Sequence, residues 1–150
     1  MKTEPKVYSI DDLQRDKREP WEGIRNYQAR NFMRDNMKIG DEVLIYHSNA
    51  TPSGIVGTAT ISKEAMPDYF ALDPQSKYYF PKATPEKNPW VMVEVKFKSK
   101  FKTIISLEDL RKTRGLEKME VIRKGSRLSI QPVRREEYEL ILHTFIYSNT

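Results

Sequence analysis

The sequence predicts a mixed α+β fold in which mostly antiparallel strands curl into a small β-barrel flanked by helices. Two observations lead to this prediction. Three strand-like segments follow one another between residues 42 and 105, and they are separated by turn or proline-rich residues. Segments with apolar residues at helical spacing lie before and after this region. With 150 residues, of which 38% are hydrophobic, the chain is expected to form one domain over residues 1–150.

Two helices are predicted before the first long strand. Ser9 can cap a short helix whose early aspartates, Asp11 and Asp12, complement the helix dipole. A second helix is predicted from Asn26 to about Met37, closed by Gly40. Its inward face is formed by four apolar residues at helical spacing: Ala29, Phe32, Met33 and Met37.

The central strands are predicted from residue pattern and from glycine positions. The first runs over Glu42–His47, a turn covers Ser48–Ser53, and the second strand runs over Gly54–Ser62. The two glycines of the second strand, Gly54 and Gly57, indicate a bulge or a close backbone approach, as is common in small barrels. Residues 66–89 hold five prolines and are predicted to form a long excursion over the surface that is ordered by its aromatic residues.

The clearest strand is Val91–Ile105. Its alternation places one set of apolar side chains inward, namely Val93, Val95, Phe97 and Phe101, and the lysines outward. A short helix begins at Ser106–Asp109 and ends near Gly115, and a brief strand is predicted over Arg127–Ile130. The last predicted helix is Glu136–Tyr147, with apolar residues at helical spacing at Tyr138, Ile141, Leu142 and Phe145.

Composition excludes several classes of protein. The absence of cysteine excludes disulfide scaffolds, thiolate nucleophiles and cysteine zinc sites. The two histidines are far apart and no carboxylate pair has ligand spacing, so no metal site and no cofactor are expected. No apolar run approaches the length of a membrane helix, and the first residues do not resemble a signal peptide, which predicts a cytoplasmic protein without membrane contact. A monomer is favoured.

The net charge of +5 is unevenly distributed. Residues 94–127 contain eleven Lys or Arg and five Asp or Glu, so this part alone carries +6. One basic zone is typical of nucleic-acid-binding proteins, because contacts to phosphates supply most of their sequence-independent affinity. A solvated basic surface without a ligand explains the same charge equally well.

The most informative segment is residues 21–35. Within three helical turns it combines aromatic, amide and guanidinium side chains: Trp21, Arg25, Asn26, Tyr27, Gln28, Arg30 and Asn31. Aromatic planes hold a flat ligand by stacking, and amides can read its edge by hydrogen bonding. A nucleobase fits this description. The alternatives are that Trp21 plugs the core, that Asn26 only caps a helix and that Arg30 only pairs with a carboxylate.

The chain resembles the EVE domains, a branch of the PUA-like superfamily related to the YTH readers of methylated RNA. Several blocks in order carry this resemblance, and they extend over nearly the whole chain: Lys2–Pro5, Trp21–Asn31, Gly40–Ser48, Gly54–Gly57, Tyr78–Lys82, Pro89–Trp90 and Gly125–Val133. Among EVE proteins it is most similar to the stand-alone type. The resemblance implies a PUA-like barrel with one pocket that reads modified cytosines in DNA, or another modified base in RNA, without catalysis.

Two sets of site residues are predicted. The predicted base-binding pocket comprises Glu4, Trp21, Asn26, Tyr27, Gln28, Tyr46, His47 and Ser48. The predicted contacts to the nucleic-acid backbone are Lys2, Arg30, Lys96, Lys98, Ser126 and Arg127. The places of Glu4, Ser126 and Arg127 beside the pocket are implied by the family resemblance. The lysines of residues 96–102 are more often a solvated sheet face that discourages aggregation at an edge.

Two other functions remain open at this point. One is a sensor that binds a small planar metabolite in the same pocket, for which the basic zone is irrelevant. The other is a hydrolase or nuclease that uses Lys2, Glu4 or His47. His47 and Ser48 do not form a nucleophile pair, because neighbouring side chains on a strand point to opposite faces.

Overall fold

The computed structural model describes residues 1–147. Five strands form one sheet: β1 (Lys2–Thr3), β2 (Arg18–Pro20), β3 (Glu42–His47), β4 (Gly54–Pro67) and β5 (Val91–Ser106). Four α-helices accompany them: α1 (Ile10–Asp16), α2 (Tyr27–Asn36), α3 (Leu107–Arg111) and α4 (Arg135–Ile141). Short 3₁₀ segments cover Tyr69–Leu72 and Glu120–Ile122, and a π-helical segment covers Leu142–Ile146. This arrangement confirms the predicted α+β class.

The sheet has the strand order β1-β3-β4-β5-β2. All neighbouring strands are antiparallel except β1 and β3, which are parallel. The pairing of β4 with β5 contains four register irregularities, the first between Ile55 and Gly57. Bulges increase the bend and twist of strands, so the long pair β4–β5 curves strongly. The short strands β1 and β2 lie at the two ends of this row.

Side chains of β3 alternate between two hydrophobic clusters on opposite faces of the sheet. Val43 and Ile45 belong to the first cluster, which α1 and α2 complete. Leu44 and Tyr46 belong to the second cluster, which α3 and α4 complete. This explains why four successive residues of β3 are buried. The capping predicted for α1 is confirmed, because the Ser9 hydroxyl accepts a hydrogen bond from the Asp12 amide.

The structure corrects four details of the sequence prediction. Residues 127–130 form no strand, although the Ser129 carbonyl accepts a hydrogen bond of 2.9 Å from the Lys2 amide. Phe101 packs in the second cluster and not with Val93, because the bulges rotate the end of β5. Strand β4 continues to Pro67, past the predicted end at residue 62. The final helix is α-helical only to Ile141.

Within residues 1–147, no helix has both the length and the apolar character required to span a membrane.

Candidate functional site

A cavity of about 1000 Å³ lies between the two end strands of the sheet. Its lining comes from β1, β2, the residues after them and three loops: Lys2, Thr3, Glu4, Val7, Tyr8, Glu19, Pro20, Trp21, Glu22, Gly23, Ile24, Ser48, Asn49, Lys77, Tyr78, Ser126, Arg127 and Ser129. Because residues of both end strands line it, the sheet curls until its ends face each other across the cavity. This volume is at the upper end of the range for small-molecule and cofactor pockets.

Trp21 is at once a wall of this cavity and part of the first hydrophobic cluster. Its side chain is only 8% exposed, and its backbone amide donates a hydrogen bond of 2.7 Å to the carbonyl of Val93. The edge of the Tyr8 ring meets the indole at a centroid distance of 6.3 Å and an angle of 88°. The two interpretations of Trp21, core plug and pocket wall, therefore both hold.

The loop after Trp21 is fixed by a buried carboxylate. Asp68 is 0% exposed, and its Oδ2 accepts hydrogen bonds of 2.9 Å from the Gly23 amide and from Arg25 Nη1. Its Oδ1 accepts a hydrogen bond of 3.0 Å from the Phe70 amide. One carboxylate thus joins the loop to the start of the long segment between β4 and β5. Asp68 thereby positions the Trp21 wall without lining the cavity.

Tyr78 closes the same side of the cavity by packing on a glycine. Gly23 has φ +84°, and a Cβ on it would overlap the Tyr78 ring, so both the backbone conformation and the space require glycine. Arg25 Nη2 donates a hydrogen bond of 2.7 Å to the Tyr78 carbonyl. Lys77 Nζ lies 5.1 Å from the centroid of the Tyr78 ring. The predicted surface excursion thus supplies an aromatic residue and a cation to the cavity.

The opposite side is built from β1 and the turn after β3. The Ser48 amide donates to the Thr3 carbonyl at 3.0 Å, and Asn49 Nδ2 donates to Glu4 Oε1 at 2.6 Å. The Thr3 hydroxyl donates to the Tyr8 carbonyl at 2.7 Å. These bonds hold the N-terminal segment against the turn, so Glu4 and Ser48 of the predicted pocket line one cavity.

A third part of the lining is the loop that contains Ser126 and Arg127. The Ser126 hydroxyl bonds to Glu120 Oε1 at 2.9 Å, which ties the loop to the preceding 3₁₀ segment. Lys2 lies beside this loop through its backbone bond to Ser129. Burial lowers the pKa of Lys2, and the nearby carboxylate of Glu120 partly opposes this shift. Lys2, Lys77 and Arg127 are the cationic members of the lining.

Three carboxylates also line the cavity, and two of them, Glu19 and Glu22, lie within two residues of Trp21 in the chain. Burial raises the pKa of Glu19 above its ordinary value, and the charge of Glu22 adds to this effect. Burial likewise raises the pKa of Glu22, with a further contribution from Asp68, while Lys77 and Arg25 oppose it. The lining therefore combines aromatic rings, three cations and three acids, and the acids near Trp21 are partly desolvated.

Four predicted site residues at the start of α2 lie outside this cavity. Asn26 caps α2, since its Oδ1 accepts a hydrogen bond of 2.9 Å from the Ala29 amide. Tyr27 is 55% exposed and packs on Trp90 at a centroid distance of 4.8 Å. Arg30 donates to the Pro89 carbonyl at 2.8 Å and lies over the Tyr27 ring. Gln28 is exposed on the first turn of α2. Helix α2 begins after the loop has turned away from the cavity.

Tyr46 and His47 are also outside the cavity lining. Tyr46 is 6% exposed in the second hydrophobic cluster. His47 Nε2 accepts a hydrogen bond of 3.1 Å from the Ile10 amide at the start of α1. Burial lowers the pKa of His47, which favours the neutral form that this bond requires. Both side chains therefore stabilise the fold beside the site.

The lysines of β5 are exposed and lie away from the cavity lining. Lys98 Nζ forms an ion pair of 2.7 Å with Glu42. Lys96 is exposed on β5, opposite Arg18 of the neighbouring strand β2. Their predicted role in phosphate binding is not tested by this geometry. Within residues 1–147, no group of three or more His, Asp or Glu side chains is placed to hold a metal ion.

Sequence reasoning missed five important lining residues: Tyr8, Glu19, Glu22, Lys77 and Tyr78. Glu22 lies inside the informative segment, but its type also fits a solvated surface. Tyr78 belongs to a block that resembles the family, and this was the only signal for it. The other three come together through the curvature of the sheet and the course of a long loop, which no local pattern indicates.

Comparison with known proteins supports the resemblance on which part of the prediction rests. The family model described as "EVE domain" matches residues 1–144. The chain belongs to the EVE domain family. It is 40% identical to mouse thymocyte nuclear protein 1 in an alignment of 144 residues that covers 90% of this chain and 63% of that protein. The chain thus spans less than two thirds of the length of that relative.

Solved structures of EVE domains have the same fold. A protein from Pseudomonas putida is 44% identical with a TM-score of 0.94, and the match covers 97% of each chain. Human THYN1, solved in complex with DNA that contains 5-methylcytosine, is 38% identical with a TM-score of 0.87. That match covers 97% of this chain and 95% of the human one. The predicted similarity to stand-alone EVE proteins is confirmed.

Proposed function

We propose that this EVE domain binds nucleic acid without catalysis and receives one modified base, with 5-methylcytosine as the first candidate, in the cavity beside Trp21. The observation that carries the proposal is the composition of the cavity lining. Three aromatic residues, Tyr8, Trp21 and Tyr78, surround a volume of about 1000 Å³ whose lining also contains three cations. Aromatic faces hold a base by stacking, and cations bind its phosphates. The human relative in complex with methylated DNA supports the same function.

The positions of the charges agree with a base that enters while its backbone stays at the rim. Lys2, Lys77 and Arg127 come from three separate segments around the cavity. Stacking is worth about 1–3 kcal/mol per base, similar to the few kcal/mol required to extrude a base from a duplex. A single strand is therefore expected to bind more tightly than a duplex. Burial of one methyl group adds about 0.8 kcal/mol, which corresponds to about a fourfold preference over cytosine.

The proposal is tested by titrating short labelled oligonucleotides at two salt concentrations. The set contains cytosine, 5-methylcytosine, 5-hydroxymethylcytosine or methyladenine at one central position, in single- and double-stranded form. If the three cations each contact a phosphate, single-strand affinity should fall about 20-fold between 50 and 200 mM salt. A base preference that persists at both salt concentrations would support base recognition.

Arg127→Ala is the variant that tests the backbone contacts. It should weaken binding of all sequences alike and reduce the salt slope by about 0.7 for a single strand. Arg114→Ala is the matched control, because Arg114 is exposed and lies outside the cavity lining. Equal slopes for the two variants, or binding of free nucleosides that does not respond to salt, would instead favour a sensor of a planar metabolite.

A further inference from the structure

Two carboxylates are placed on either side of Trp21 in the chain, and both line the cavity. Glu19 belongs to β2, which ends at Pro20 just before Trp21, and like Trp21 it lines the cavity. Glu22 follows Trp21 at the beginning of the loop that Asp68 fixes. Both side chains are partly buried. Carboxylates that line a site for a polyanion require an explanation, because they repel phosphate.

These carboxylates have lost hydration without gaining full hydrogen bonding. Burial is the largest cause of the raised pKa of each group. The single hydroxyl hydrogen of Tyr8 is donated to Asp16 Oδ2 at 2.9 Å. The backbone hydrogen bond at Glu22 lowers the pKa of this residue by less than burial raises it. A carboxylate has four acceptor positions. The carboxylate of Glu22 can therefore accept further hydrogen bonds from a donor inside the cavity.

The two cations whose charges lower the pKa of Glu22 are engaged with other groups. Arg25 donates to Asp68 and to the Tyr78 carbonyl, and Lys77 lies over the Tyr78 ring. The charges of Arg25 and Lys77 lower the pKa of Glu22 by less than burial raises it. The groups that act on this carboxylate from neighbouring segments are thus Arg25, Lys77 and Asp68. The pKa of Glu19 is affected, besides burial, by Glu22, Tyr8, Asp16 and Arg15.

An ionised carboxylate accepts hydrogen bonds and cannot donate them. Cytosine carries an exocyclic amino group, a donor, at the ring position where thymine and uracil carry a carbonyl oxygen. We propose that Glu22, with Glu19 beside it, selects cytosine-type bases over thymine and uracil by accepting hydrogen bonds from this amino group. The inference rests on the proposed function and adds the base class that the cavity accepts and the residue that decides it.

The test uses two oligonucleotides that differ only at the base edge. Thymine has the same 5-methyl group as 5-methylcytosine, so a single strand with either base at one position separates edge recognition from methyl recognition. The wild-type protein should bind the 5-methylcytosine strand at least about fivefold more tightly, the lower end for a matched base contact. Glu22→Gln should reduce this ratio below about twofold, because an amide can also donate to the thymine carbonyl.

Glu136→Gln is the control for the loss of one negative charge, since Glu136 is exposed on α4 and outside the cavity lining. It should keep the wild-type ratio. Glu22→Asp retains a carboxylate and should keep a preference for 5-methylcytosine, which covers the case that Glu22→Gln does not fold. Circular dichroism and the thermal midpoint establish folding of each variant.

The outcomes separate the two proposals. Equal binding of the two strands, each tighter than a strand with an abasic position, overturns the role of Glu22 and leaves the reader function intact. No gain over the abasic strand for either base overturns the reader function itself. A wild-type ratio that persists in Glu22→Gln and in the double variant Glu19→Gln, Glu22→Gln overturns the assignment of these residues.

Discussion

Replacement of Asp68 by Asn tests how the loop beside the cavity is held. Asp68 is fully buried and accepts three hydrogen bonds: from the Gly23 amide, from Arg25 and from the Phe70 amide. Asn has nearly the same shape as Asp, but its NH₂ group would face hydrogen-bond donors on one side. The Arg25 guanidinium, whose side chain is 23% exposed, would also lose its counter-charge. Removal of one partner from a buried ion pair costs about 3–5 kcal/mol.

Because Arg25 is partly exposed, we expect a loss near the lower value, about 3 kcal/mol of unfolding free energy. The assay is urea denaturation followed by tryptophan fluorescence, with equal m-values required for comparison. Asp35→Asn is the matched control: it removes the same charge from an exposed ion pair of 2.8 Å with Arg34 and should leave the midpoint almost unchanged.

The binding assay adds a second readout for Asp68→Asn. Under conditions where the variant is folded, it should bind the methylated single strand more weakly than wild type, since the loop that carries Glu22 loses its anchor. A loss of stability no larger than that of Asp35→Asn, together with unchanged binding, would mean that the Asp68 carboxylate does not position this wall.

Three other predictions concern residues around the cavity. Stability should fall as the pH drops below about 6.5, because burial lowers the pKa of His47 in the folded state. Only the neutral ring can accept the hydrogen bond from the Ile10 amide at the start of α1. Urea midpoints between pH 7.5 and 5 should show this drop for wild type and a smaller drop for His47→Gln. Trp21→Ala should cost about 3–5 kcal/mol, because the indole is also core, so Trp21→Phe, which should cost less and still weaken base binding, is the variant to titrate. Gly23→Ala should cost at least about 1 kcal/mol more than Gly40→Ala in thermal unfolding, since both glycines have positive φ but only Gly23 has the Tyr78 ring in the way.

Local sequence patterns predicted the strands and helices that are long enough to show a periodic alternation of apolar and polar residues. Strand β5 shows this, because the buried Val93 and Val95 alternate with polar residues as expected. Helix α2 shows it too, since Ala29 and Met33 are fully buried. The two-residue strand β1 and the three-residue strand β2 are too short for a period, and both exist because they add to the ends of a sheet.

The candidate site was only partly predictable, for the same physical reason. The polar and aromatic residues of positions 21–31 predicted a site in this segment. Helix α2 begins at Tyr27, however, and its side chains point away from the loop before it. Trp21 therefore lines the cavity while Asn26 caps and Tyr27 packs on Trp90. The family resemblance was what brought Glu4, Ser126 and Arg127 to the site, since no spacing in the chain connects them.

The sequence by itself determined the α+β class, the major strands and helices, the uneven positive charge and the membership of a family. These properties depend on composition and on periods of two or 3.6 residues, which are visible within a short window of sequence. Only packing of the whole chain makes the ends of the sheet face each other, brings Glu19 and Glu22 to one cavity with Trp21, and lets Asp68 hold the loop that follows Trp21. Those contacts depend on strand curvature and on residues more than forty positions apart, and both arise only when the whole chain packs.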